Sequence, residues 1–398
     1  MKLFATKIDT TSERTMVVDD MILTKDIPTT AGSKMLDGYV SLFEAEALTR
    51  LKNAGYALCG KANVGEFAID LLGETSQNGK IVSGGKLINA SAEIVSSGEA
   101  TIAITLDVNG SVRRAAAQSG LVSIKPTYGT VSRYGTIPVA CSGETVSVMA
   151  KSADTCREVL VAIAGHDDKD GTSLSEELCA RVKQNESAPR KVALLKSMTV
   201  GVDGEVAEKL NAFIALLTDN GVEVCEIDDE VIATSRIAWN ILMSAELCNN
   251  VSRYDGVKYG YRAQNFSNID ELYTNSRTEA FGELLKTAII FGSETLSTEN
   301  YMKVYDKALR MRRVIVEAFA KIFESFDAVL LPACSTLAYT EETVSANKYL
   351  AFEENLYTAP ASVSGLPAVV AGGVQLIGKA FSDSALLELA KLLEKEGK

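Results

Sequence analysis

Helical and strand periods alternate along the chain. Residues 41–54 place Ala45, Leu48 and Leu51 on one stripe at helical spacing, and Gly55 supplies a stop. The apolar run Tyr56-Ala57-Leu58-Cys59 follows at once. The same order returns further on, with a strand predicted over Val192-Ala193-Leu194-Leu195 and a helix from about Glu205 to Leu217. The pair Asn220-Gly221 then introduces a second strand over 222–227. Ala328-Val329-Leu330-Leu331 before Pro332 is another strand candidate, and an amphipathic helix from Ser384 to Glu396 closes the chain. This alternation predicts an α/β fold in which helices cover a sheet. Residues 1–398 read as one large domain, because no repeat, low-complexity tract or Pro-rich linker divides them.

The stretch from Thr101 to Asp107 alternates polar and apolar residues and runs into Val108-Asn109-Gly110-Ser111. Local rules make this a strand ending in the tight Asn-Gly turn of a plain β-hairpin. The competing reading is catalytic. A serine beside glycine at a strand-end turn exposes its hydroxyl next to free backbone N–H groups, which is what a nucleophile and an oxyanion hole require.

Composition narrows the chemistry. With 40 Lys+Arg against 52 Asp+Glu the formal net charge is −12, which disfavours direct nucleic-acid or anionic-membrane binding. At 46% hydrophobic and 23% charged residues there is ample material for a core. No apolar stretch approaches the roughly 18 residues needed to span a bilayer, and the first residues lack a signal-like apolar core, so a cytoplasmic protein is expected. Seven scattered cysteines without a Cys-x-x-Cys pair argue against a disulfide framework or a zinc ribbon, and the single histidine, His166, excludes any site needing two imidazoles. No metal or cofactor is expected. The segment His166-Asp167-Asp168-Lys169-Asp170-Gly171 has a partial calcium-loop rhythm but reads as a surface turn. Gly84-Gly85-Lys86 does not complete a phosphate loop.

Beyond Ser111 the chain continues as Val112-Arg113, then Gly120-Leu121-Val122-Ser123-Ile124-Lys125-Pro126-Thr127-Tyr128-Gly129 and Val131-Ser132-Arg133-Tyr134-Gly135. With Gly60-Lys61-Ala62-Asn63, Glu66-Phe67-Ala68, Ala164-Gly165-His166-Asp167, the segment Arg253 to Arg262, Gly365-Leu366-Pro367-Ala368 and Gln375-Leu376-Ile377-Gly378-Lys379, these motifs resemble the amidase signature family nearly end to end. The nearest branch is that of the glutamyl-tRNA(Gln) amidotransferase A subunits. The resemblance implies a single α/β/α domain with a mixed central sheet. It also implies a Ser-cisSer-Lys triad that hydrolyses amides through an acyl-enzyme, and a B-subunit partner that receives the ammonia released from glutamine. A lysine acting through a bridging serine is needed because an alcohol is a poor nucleophile near neutral pH.

Carried over residue by residue, the resemblance is uneven. The nucleophile falls on Ser111 and is intact, with Val108, Asn109 and Gly110 as the oxyanion region, where Asn109 replaces a glycine. The bridging serine, at a fixed offset before the nucleophile, falls on Leu87. The lysine, counted back from Thr29-Thr30, falls on Asp19. Of the glutamine-binding positions, the arginine pair that grips the α-carboxylate has become Thr287-Ala288, and the acidic residue that meets the α-amino group has become Asn355. Lys61 belongs to a structural segment of the family. The family's N-terminal helices are missing, and the strands between Pro367 and Gln375 are shortened. The expectation is a pseudo-amidase with a scaffold or protein-partner role; whether Ser111 still faces a pocket, or Leu87 and Ile88 of the changed loop at 84–89 fill it, is left open by the sequence. The alternative is an active amidase in which Lys86 has taken over as base for Ser111.

Overall fold

The computed structural model describes residues 2–228 and 230–396. Among these residues the strands are β1 (Phe4–Lys7), β2 (Thr15–Asp19), β3 (Ala57–Ala62), β4 (Val82–Ser83), β5 (Lys86–Leu87), β6 (Ile102–Asp107), β7 (Val122–Lys125), β8 (Thr145–Ala150), β9 (Lys191–Leu195), β10 (Glu223–Ile227), β11 (Ala328–Pro332), β12 (Ala368–Ala371) and β13 (Val374–Gly378). Eleven of them form one mixed sheet in the order β1-β3-β2-β6-β8-β7-β12-β13-β11-β9-β10, and β4 and β5 pair as a separate hairpin. β6 lies between β2, to which it runs parallel, and β8, to which it runs antiparallel.

Helices Glu46–Asn53, Ala153–Ile163 and Asp383–Glu396 pack together on one face of the sheet. Helices Ala90–Ser97 and Ser111–Ser119 cover β6 on the other. Successive strand residues feed two separate cores. Met16, Val18, Ile102 and Ile104 enter one, whereas Val17 and Ala103 enter the other, as the two-residue period of a strand requires.

The helix at 205–217, the strands at 192–195, 222–227 and 328–331, and the closing helix all stand within a few residues of their expected bounds. The segment at 101–111 corrects the local reading. It is not a hairpin: β6 ends at Asp107, the chain turns through Val108-Asn109-Gly110, and a helix starts at Ser111. β6 is buried along its whole length. Its polar–apolar alternation therefore separates two cores rather than core from solvent, with Thr105 Oγ1 donating to the Ser147 carbonyl at 3.4 Å. Two-residue hairpins stand elsewhere: Gly372-Gly373 joins β12 to β13 and Gly84-Gly85 joins β4 to β5, all four glycines at positive φ as such turns require.

The helix after β6 is fastened by a buried ion pair. Arg113 donates to Asp107 through Nε at 2.8 Å and Nη2 at 3.0 Å. Its remaining N–H groups reach the Thr358 carbonyl and Gln375 Oε1 through Nη1, at 2.8 and 2.9 Å, and Ser362 Oγ through Nη2 at 2.8 Å. All five guanidinium donors are thus used, binding β6, helix Asn355–Ser364 and β13 together. The guanidinium holds the Asp107 carboxyl below its ordinary range against the cost of burial. Arg113→Ala strands that carboxylate and is expected to lower stability by about 3–5 kcal/mol. The Asp107→Ala/Arg113→Ala double variant should lose clearly less than the two single losses combined, as read by urea denaturation.

Candidate functional site

The carboxyl ends of the parallel strands β2 and β6 lie side by side and carry Asp19 and Asp107. Gly110 makes the turn into the following helix at φ 80°, and a Cβ there would stand 2.4 Å from the Thr358 side chain. Only glycine fits. Ser111 is therefore the first residue of a helix, beside N–H groups that have no intrahelical acceptor, which is the geometry of an anion-stabilising turn. It is 6% exposed, and its hydroxyl bonds to no other described residue.

Two of the positions expected to activate Ser111 have side chains of another kind. Leu87 is buried in an apolar cluster with Leu71, Leu72, Ile81, Val112 and Tyr339. It is fixed by its N–H to the Tyr339 carbonyl at 2.8 Å and by Gln118 Nε2 on its own carbonyl at 2.8 Å. Ile88 is half-buried and packs against the same cluster. Lys86 precedes Leu87 in β5, and the strand period turns it to the exposed side of the hairpin. The Ser111–Lys86 dyad is accordingly not assembled here, because a strand that buries Leu87 points its neighbour the other way.

Asp19 is buried and accepts from Ser91 Oγ at 2.5 Å and from the Leu106 N–H at 3.3 Å. Burial raises its carboxyl to about 7, and the neighbouring Asp20 adds to the rise. The two donors and Lys61 oppose it. Lys61, read as scaffold from the sequence, is fully buried and committed. Its Nζ lies 3.0 Å from Asp20 Oδ1 and donates to Thr29 Oγ1. Burial lowers its amine, against the pull of Asp20.

The turn at 108–110, expected to be the oxyanion region, is locked by residues whose role sequence reasoning missed. Arg114, buried beside Arg113, donates to the Asn109 carbonyl at 2.9 Å, the Asp70 carbonyl at 3.1 Å and the Leu71 carbonyl at 3.3 Å. It closes the space between the 109–111 turn and the loop at 70–72. The Asp70 carboxyl accepts from the Thr75 N–H and hydroxyl, and burial together with Glu74 pushes it up to about 8. The signal in the sequence was the doublet Arg113-Arg114 inside an otherwise apolar Val-Ala-Ala-Ala helix. Asn109 donates to the Ile69 carbonyl at 2.8 Å and is hydrogen-bonded to Asn355, which also bonds Asn240.

Asn355 is thus buried in an amide cluster, and Ala288 is buried too. Thr287 is half-buried, with its hydroxyl on the Glu283 carbonyl at 3.0 Å. Two adjacent cavities of about 330 and 300 Å³ share Thr287 and Tyr349, and neither is lined by Ser111. Among the described residues no group of three or more His, Cys, Asp or Glu side chains is arranged to hold a metal ion, and no helix is long and apolar enough to cross a membrane.

A mixed sheet covered by helices, with a serine at a glycine-forced turn from a central strand into a helix, defines the class as an amidase-type α/β fold. The family model described as Amidase matches residues 15–387. The chain is 35% identical over 408 residues to the A subunit of glutamyl-tRNA(Gln) amidotransferase from Lachnoclostridium phytofermentans, an alignment covering 96% of this chain and 82% of the relative. It is also 35% identical over 393 residues to the corresponding protein of Acinetobacter baumannii, covering 93% and 80%. The crystal structure of the glutamyl-tRNA(Gln) amidotransferase A subunit from Thermotoga maritima superposes with a TM-score of 0.81 at 26% identity, over 99% of this chain and 87% of that one. The chain belongs to the amidase family, with close homology to the A subunits of glutamyl-tRNA(Gln) amidotransferases.

The Asp19 carboxyl sets a pH dependence. Its folded value, about 7, lies above the ordinary 3.8, so the folded protein holds a proton that the unfolded chain releases. That stabilisation is complete below about pH 4 and is lost as pH rises through 7. Asp19→Asn, which keeps an acceptor for Ser91, should therefore gain thermal stability relative to the parent as pH increases from 5 to 8. Parallel melts across that range check it.

Proposed function

We propose that the protein is an amidotransferase A-subunit-like pseudo-amidase, which keeps the fold and the nucleophile position of an amide hydrolase but serves as a scaffold for a protein partner. One observation carries the reading. On the positions the family resemblance assigns, the path from nucleophile to base runs Ser111, Leu87, Asp19, and a buried isobutyl group relays no proton. The acid at the far end already accepts from Ser91 and the Leu106 N–H. The nearby amine of Lys61 is held by Asp20 and Thr29. Removing a member of a nucleophile–base array typically costs three or more orders of magnitude in rate, the remainder coming from the oxyanion donors and binding alone.

The substrate grip points the same way. Thr287, Ala288 and Asn355 offer no charge to either end of an amino acid. The relatives are named as subunits of an amidotransferase, and a partner of the B-subunit kind suits a chain that keeps its scaffold. The segment Arg253 to Arg262 is its docking surface in this reading, and Arg253, Lys258, Tyr259 and Arg262 within it are exposed. A cytoplasmic location fits this role.

Growth complementation tests the reading. Expressed as soluble protein, confirmed by immunoblot, in a strain lacking its own A subunit, the chain is expected to give no growth. Growth at a rate comparable with an authentic A subunit would overturn the pseudo-amidase assignment.

A further inference from the structure

The two cavities beside Thr287 stand apart from the serine turn. One of them, about 300 Å³, is walled by Ala288, Phe291, Phe352 and Tyr349, with Asn240 and Ser244 at its inner side. Its neighbour of about 330 Å³ adds Leu71, Leu284 and Val344 and carries charged groups at its rim. Both volumes lie at the lower end of the range of small-molecule sites, which are mostly apolar with a few polar groups that fix orientation.

The charged groups all line the larger cavity and already have partners. Lys348 is the one cation among the described lining residues, and its Nζ is held by Glu283 at 2.8 Å. The Glu74 carboxylate accepts from the N–H groups of Leu71, Leu72 and Gly73 at 3.0, 2.9 and 3.2 Å. An anionic or zwitterionic ligand would have to break the Glu283–Lys348 pair or lose its own hydration without compensation. What remains free to meet a guest in the smaller cavity is ring surface and two hydroxyls, those of Ser244 and Tyr349, which bond to no other described residue.

We propose that this paired chamber binds an uncharged aromatic small molecule, its ring against Phe291, Phe352 and Tyr349 and a single polar group toward Ser244. Three rings around a pocket of this size favour a planar guest through edge and face contacts. The smaller cavity, where the ring sits, is lined by no charged residue among those described, which selects against charged versions of the same ring. The proposal rests on the reading of Thr287-Ala288 as a lost carboxylate grip, but binding here requires nothing of Ser111. Its failure would therefore leave the complementation result untouched, and the reverse also holds.

A charge series on a constant ring tests it. Saturation-transfer NMR titrations of the full chain with benzyl alcohol, benzoate, benzylamine and glutamine should give saturable binding of benzyl alcohol. Benzoate and benzylamine should bind at least tenfold more weakly, and glutamine should show no competition. Tyr349→Ala, at an exposed ring shared by both cavities, should weaken benzyl alcohol at least fivefold with an unchanged thermal melt. Ala288→Phe, which fills the chamber, should abolish binding provided its melt shows it folded. No saturable binding of benzyl alcohol, equal or tighter binding of a charged analogue or of glutamine, or unchanged affinity in Tyr349→Ala would overturn the proposal.

Discussion

The arrangement around Ser111 depends on the buried pair of Asp107 and Arg113. A guanidinium out of water is tolerable only when its charge and every N–H are matched, and here one carboxylate and three other acceptors from distant parts of the chain complete the set. The consequence is geometric. β6, helix Asn355–Ser364 and β13 cannot shift independently, so the glycine turn that presents Ser111 is held whatever side chains surround it. Thr358 illustrates the coupling: its carbonyl serves Arg113, and its side chain stands where a Cβ on Gly110 would go.

On that rigid frame the neighbouring positions carry side chains whose contacts are met locally. A serine and an amine buried near each other demand partners, whereas Leu87 joins an existing apolar cluster and needs none. Asp19 remains polar but finds donors in Ser91 and the Leu106 N–H. Arg114 ties three carbonyls across the mouth of the turn. Leu87, Asp19 and Arg114 thus each find their contacts or hydrogen bonds inside a closed, well-packed interior. The smaller cavity at Thr287 and Tyr349 has aromatic walls in Phe291, Phe352 and Tyr349.

Much of this was legible from residues alone. The α/β alternation gave the correct class, and the motif string from Gly110 to Gly135 begins at the glycine turn into the Ser111 helix. The hydrophobic pattern failed at 101–107 for a definite reason. A strand buried on both faces can alternate small polar with apolar residues when its two sides meet different cores, so the pattern resembles that of a half-exposed hairpin. The orientation of Lys86 was equally hidden, since it depends on the register of a two-residue strand against Val82 and Ser83. The role of Arg114 rests on carbonyls at 70, 71 and 109 that no local spacing brings together.

The central claim is that Ser111 carries an ordinary, unactivated hydroxyl. The most direct measurement is labelling of the purified chain, and of native extract containing it, with a fluorophosphonate probe, which reports an activated serine whatever the substrate. The account predicts no labelling above that of a Ser111→Ala control in either preparation. Labelling that disappears in Ser111→Ala would contradict it and show that a base reaches the serine by a route this structure does not contain.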